Sequence, residues 1–95
     1  MDLASFKSTL AAVAPPPGLS PALLALWWQG KGDWGAAHKV VQGHEGEAEC
    51  DWVHAHLHRV EGDLSIAGYW YWHCGRKPAQ EPLDVEWAAI AAALL

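Results

Sequence analysis

The segment Trp52–Asp63, WVHAHLHRVEGD, holds three histidines at alternate positions and a glutamate three residues after the last. Imidazole titrates near neutral pH and is the commonest nitrogen ligand for metal ions. As a strand, the segment would put His54, His56 and His58 on one face. As a helix it turns about 100° per residue. His54 and His58 then stand one turn apart, Glu61 falls close to the direction of His54, and His56 points roughly to the other side. Val53, Leu57 and Val60 form an i, i+4, i+7 stripe, the alternation breaks at Arg59–Val60, and the neighbouring segments read as helical. A helix is therefore expected, with His54, His58 and Glu61 on one face and His56 in solvent.

Two imidazoles at i, i+4 can close on one ion, and a carboxylate one turn on can supply a third ligand. His54, His58 and Glu61 are thus candidate ligands for a divalent metal. The sharper zinc pattern His-Glu-x-x-His is absent, since Ala55, His56 and Leu57 lie between the two histidines, so no cofactor is the expectation and a divalent metal the alternative to it. His38, on the preceding helix, is expected to reach the same space. Without a metal, His38, His54, His58 and Glu61 are candidate catalytic groups, with a histidine as general base or nucleophile. The plainer alternative is polar bonding between helices through the ring nitrogens.

The elements that must hold these groups follow from caps and breakers. Residues 2–13 read as a helix capped by Asp2, with Leu3, Phe6, Leu10 and Val13 at helical spacing, and Pro15, Pro16 and Pro17 stop it. Ser20 and Pro21 start the next helix. Asp33 caps a third, which completes a hairpin over 20–42. Residues 43–49 are polar and glycine-broken and read as a loop. A second hairpin spans 51–75, turning at Gly62–Asp63. Pro82 opens a last helix over 82–95, with Leu83, Trp87, Ile90 and Leu94 on one stripe. Asp33 and Asp63 each follow a glycine and precede an apolar residue, which is the place of a helix cap rather than of a reacting carboxylate.

Ninety-five residues make one domain, 1–95, and an apolar fraction of 52% is enough for a core. No apolar run nears the ~20 residues that span a bilayer, and no charged start followed by an apolar stretch marks a signal peptide. No membrane association is expected, and a cytoplasmic location is. Net charge is −5 with six scattered Lys and Arg, which argues against a nucleic-acid surface. Cys50 and Cys74 form no CxxC motif and read as reduced thiols. Seven tryptophans are the unusual feature. Most belong in a core, but adjacent Trp27 and Trp28 cannot both point into it. A cleft lined by Trp28, Trp34, Trp70 or Trp72 would take a flat apolar molecule.

GDWGAAHKVV from Gly32 and GDLSIAGYWY from Gly62 are self-similar at an offset of thirty residues, a period that suggests stacked helical hairpins. In Gly62-Asp63, Ala67, Tyr71, Cys74 and the closing Pro78, the second unit resembles a tetratricopeptide or Sel-type repeat, and Gly32, Ala37 and Val41 give a weaker match in the first. This resemblance spans about residues 22–78. It implies an all-α fold of about six helices, with antiparallel hairpins in a tetratricopeptide-like stack and the first and last helices as covers. The whole chain also resembles a group of small bacterial and fungal proteins with Gly-Asp-Trp, then Ala-His, then Trp-x-His-Ala-x-Leu-His-Arg-x-Glu-Gly-Asp and Tyr-Trp-Tyr. Here these are Gly32–Trp34, Ala37–His38, Trp52–Asp63 and Tyr69–Tyr71. That likeness implies no particular activity. Trp28, Ile66 and Trp72 stand where the group's pattern has polar residues, so a polar pocket would have become apolar, by divergence or by remodelling of a small scaffold toward a new catalyst.

The leading expectation is a helical protein that binds a small apolar or aromatic molecule, or a partner. Trp28, Trp34, Ile66, Trp70 and Trp72 would give contact area, and His38, His54, His58 and Glu61 polarity. The competing expectations are a small enzyme on the same cluster, with or without metal, and a scaffold that binds a peptide or a second copy of itself.

Overall fold

Four of the helix starts are set by side chains. Asp2, Ser20, Asp33 and Asp63 each accept a hydrogen bond from the backbone N–H three residues on, satisfying a donor that the first turn leaves orphaned. The computed structural model describes all 95 residues and contains six helices and no strand. They are α1 (Leu3–Thr9), α2 (Pro21–Gly30), α3 (Trp34–Gln42), α4 (Ala48–Val60), α5 (Leu64–His73) and α6 (Leu83–Leu94). The fold class is all-α, and no helix is long and apolar enough to cross a membrane.

Two boundaries differ from those expected. α1 ends at Thr9 rather than near residue 13, because Lys31 Nζ donates to the carbonyl oxygens of Leu10 and Ala12, both at 2.8 Å. The chain there turns toward α2 instead of continuing, and Val13 is left 93% exposed. α4 begins at Ala48, inside the stretch read as a loop. Its N-cap, Glu47, makes no side-chain cap bond. The buried Asp51 carboxylate instead accepts from Gly46 N–H at 3.1 Å, holding the entry to the helix from within.

The two Gly-Asp turns are built alike. Asp33 N–H donates to Trp28 C=O and Gly32 N–H to Gln29 C=O, each at 2.9 Å. Asp63 N–H donates to His58 C=O at 2.9 Å and Gly62 N–H to Arg59 C=O at 3.1 Å. This is the paired closure of a helix C-terminus by a left-handed residue, and Gly32 and Gly62 supply it with φ of 81° and 85°. In each turn the next residue caps the following helix, so three residues end one helix and start another.

α4 is the central element. It packs against α2, α3, α5 and α6, while α1 lies against α6. The larger core cluster joins Phe6, Leu26, Trp27, Val41, Val53, Leu57 and Ile90, and a smaller one joins Ala55, Ala67, Trp70 and Tyr71. Trp27 is fully buried while Trp28 packs from the edge of the core, as adjacent positions on a helix require. Burial of α4 is nearly continuous from Val53 to His58, and this fixes where its histidines go.

Candidate functional site

α3 carries Trp34 and His38 one turn apart, α4 carries His54 and His58 one turn apart, and the two helices pack together. The three imidazoles form a triangle with ring centroids 4.9 Å (His38–His54), 5.2 Å (His38–His58) and 5.0 Å (His54–His58) apart. One nitrogen from each lies within 4.8 Å of the other two. His38 Nε2 and His54 Nε2 are 3.2 Å apart, so one proton can be shared between them.

Indole rings wall the triangle. Trp34 stacks on His38 at 4.6 Å and 9°, and Trp70 of α5 stacks on His54 at 4.0 Å and 15°. Trp34 is itself fixed, since its Nε1–H donates to Leu57 C=O at 2.7 Å. Glu61, the C-cap of α4, brings its carboxylate to His58 Nδ1 at 2.6 Å. The Gly62–Asp63 turn sets that position, because it ends α4 at Glu61. A carboxylate on Nδ1 fixes the ring's orientation and leaves Nε2 as its free nitrogen.

The electrostatics favour the neutral form of His54 and His38. Burial, aided by the neighbouring imidazoles of His58 and His38, pushes the His54 pKa down to about 4. His38 is lowered as well, first by burial and then by His58, with Glu61 and Glu45 opposing. Three positive rings at this spacing would repel one another, and the desolvated site cannot hold them. One oddity remains: His54 Nδ1 is buried and has no hydrogen-bond partner.

The residues singled out from the sequence fall into three groups. His38, His54, His58 and Glu61 come together, with Glu61 bonded to a histidine rather than converging with the ring nitrogens. Trp34 and Trp70 wall the histidines. Trp28, Ile66 and Trp72 do not join them: Trp28 packs on the core, and Ile66 and Trp72 are 43% and 76% exposed. None of these five apolar residues lines any of the three cavities of the molecule.

His56 corrects the expectation of a solvent-facing bystander. It is 1% exposed, and its Nδ1 bonds Glu86 Oε1 at 2.7 Å. The side of α4 away from His54 faces α6, not water. Arg59 also reaches Glu86 Oε1 at 3.1 Å, Tyr71 O–H donates to Glu86 Oε2, and Arg59 donates to Glu81 C=O. Burial alone would raise the Glu86 carboxyl, but the bonds from His56, Tyr71 and Arg59 outweigh it and hold its pKa below the usual value. This network was not read from the sequence. Its signal was Glu86 itself, one position before Trp87 on the apolar side of α6, where a carboxylate needs partners.

No protein-family model matches the chain, and no curated protein or solved structure matches it. Its chemistry therefore rests on the residues themselves.

Proposed function

We propose that the protein binds a divalent transition metal of the zinc class through His38, His54 and His58, with Glu61 orienting His58. One observation carries the reading: three ring nitrogens from two packed helices lie within 4.8 Å of one another. Tetrahedral coordination with bonds of 2.0–2.1 Å sets ligand nitrogens about 3.3 Å apart. The 3.2 Å between His38 Nε2 and His54 Nε2 is close to that value, and one nitrogen of His58 completes the set within 4.8 Å. Metal ligation requires deprotonated nitrogen, and burial already holds His54 in that form.

The donor set also bears on what such a centre would do. Structural zinc sites use four protein ligands, whereas sites with three keep a position for water or substrate. An ion held by three imidazoles lowers the pKa of bound water toward neutrality and polarises an oxygen placed on it. His38 is only partly buried, so the cluster reaches solvent along α3, where an exogenous ligand would enter. Trp34 and Trp70 keep the rings in place and exclude water from their faces.

Cobalt(II) titration of the tag-free protein tests the reading, because tetrahedral cobalt absorbs visibly. One equivalent should saturate the band, and zinc should displace it. His58→Ala and His54→Phe should abolish it. Glu61→Gln should weaken affinity by about 10–100-fold, while His44→Ala and His73→Ala should leave it unchanged. Equal cobalt binding by wild type and His54→Phe would reject the site.

A further inference from the structure

A second polar feature faces a cavity of about 440 Å³ where α1, α2 and α6 meet the end of α4. Leu10, Gly30, Val60, Leu83 and Trp87 give it apolar walls. His56 and Gln29 also line it, and each brings a polar atom that no protein group satisfies. Glu86 takes His56 Nδ1, so Nε2 is the ring atom left for a ligand. Tyr71 and Arg59 hold the Glu86 carboxylate from its other sides, which locks the imidazole in place. Gln29 Oε1 is buried and unpartnered. An atom without accessible surface is out of reach of a molecule in the cavity, so His56 Nε2 is the polar atom that a ligand there would meet.

We infer that this cavity is a binding site for a small neutral aromatic molecule carrying a hydroxyl or N–H donor, of which phenol is the simplest, with His56 Nε2 as the acceptor. The carboxylate on Nδ1 orients the ring and leaves Nε2 to the cavity. In the neutral ring Nε2 accepts, which selects a donor in the ligand. Lys7 and Asp84, the two charged residues of the lining, have opposite sign, so no net charge favours an ion. The volume lies within the usual range of small-molecule pockets and leaves room for more than one ring. The site is separate from the three-histidine cluster and lies on the opposite side of α4.

Phenol and benzene titrated into ¹⁵N-labelled protein provide the test. Phenol should shift the Gly30 and Val60 amides and the Trp87 indole N–H, saturating at one equivalent bound. Benzene, which fills the same space without a donor, should bind about three- to tenfold more weakly, the worth of one ordinary hydrogen bond. Val60→Trp, which fills the cavity from its edge and leaves the Glu86 network intact, should abolish saturation while the spectrum stays dispersed. Shifts that never saturate, or that persist unchanged in Val60→Trp, would overturn the site. Benzene binding as tightly as phenol would overturn the acceptor role of His56.

Discussion

His56 sits between His54 and His58 on one helix, and the two sides of α4 treat their histidines differently. Toward α6, His56 meets a carboxylate that also holds Tyr71 and Arg59, and Glu86 is fully engaged. Toward α3, His54 and His58 meet mainly other imidazoles, and one nitrogen of His54 has no partner. Both groups are buried, so burial does not tell a structural histidine from a functional one. What separates them is charge balance. The Glu86 side carries an anion matched by a guanidinium and hydrogen-bond donors, which is a stable arrangement in a desolvated interior. The His38 side gathers three basic nitrogens, and Glu61, bonded to the outer nitrogen of His58, is its only carboxylate partner. Such a cluster keeps unused donor capacity of the kind a cation would take.

Breaking the balanced side should have the largest effect. Glu86→Leu strands Arg59, His56 and Tyr71, and removing one partner of a buried ionic network costs about 3–5 kcal/mol. Urea denaturation should register this loss, while the cobalt affinity of the remaining folded fraction stays near wild type.

Acid should distinguish the two sides next. The folded pKa of His54 is about 4 against 6.5 for the free side chain. Between these values the unfolded chain holds a proton that the folded chain does not, so stability falls as pH drops from 6.5 toward 4, by roughly 3 kcal/mol in total. Glu86 is displaced in the same direction but from a lower starting value, 4.5, so its contribution persists down to 4.5 and is lost only at lower pH. A slope above pH 5 therefore reports the histidine cluster, and His54→Phe should flatten it. A wild-type stability that is level from pH 7 to 5 would contradict the cause assigned to the His54 shift.

Zinc should stabilise by a similar or slightly smaller amount. At a free concentration one hundred times Kd the gain is about 2.7 kcal/mol, read as a rise in Tm that His58→Ala removes. The smallest effect belongs to the α5 surface. Trp72→Ser, at a side chain that is exposed, should change stability by no more than about 0.5 kcal/mol. A larger loss there would mean that the indole is covered in solution.

The helices were legible where a local signal ends or starts them. Asp2, Ser20, Asp33 and Asp63 cap as their positions predict, and the Gly-Asp self-similarity marks two turns of one geometry. The misses have long-range causes. Nothing near residue 10 announces that Lys31 will take the carbonyls of Leu10 and Ala12, and nothing near residue 48 announces Asp51 as the internal support of α4. The pairing of His54 with His58 and the nearness of His38 followed from helical spacing and the adjacency of consecutive helices. His56 did not, because helical periodicity finds a single buried face, whereas α4 is surrounded. The expectation that indoles and imidazoles share a pocket also assumed that large rings leave a gap. Trp34 and Trp70 stack directly on the histidines and leave none.

Long-range ¹H–¹⁵N spectra of the histidine rings, recorded with and without one equivalent of zinc at neutral pH, address the central claim most directly. Zinc should move the Nε2 resonances of His38, His54 and His58 to values typical of a metal-bound nitrogen and leave those of His44, His56 and His73 where they are. Zinc-dependent shifts confined to His44 or His73, or a His56 response equal to that of His54, would contradict it.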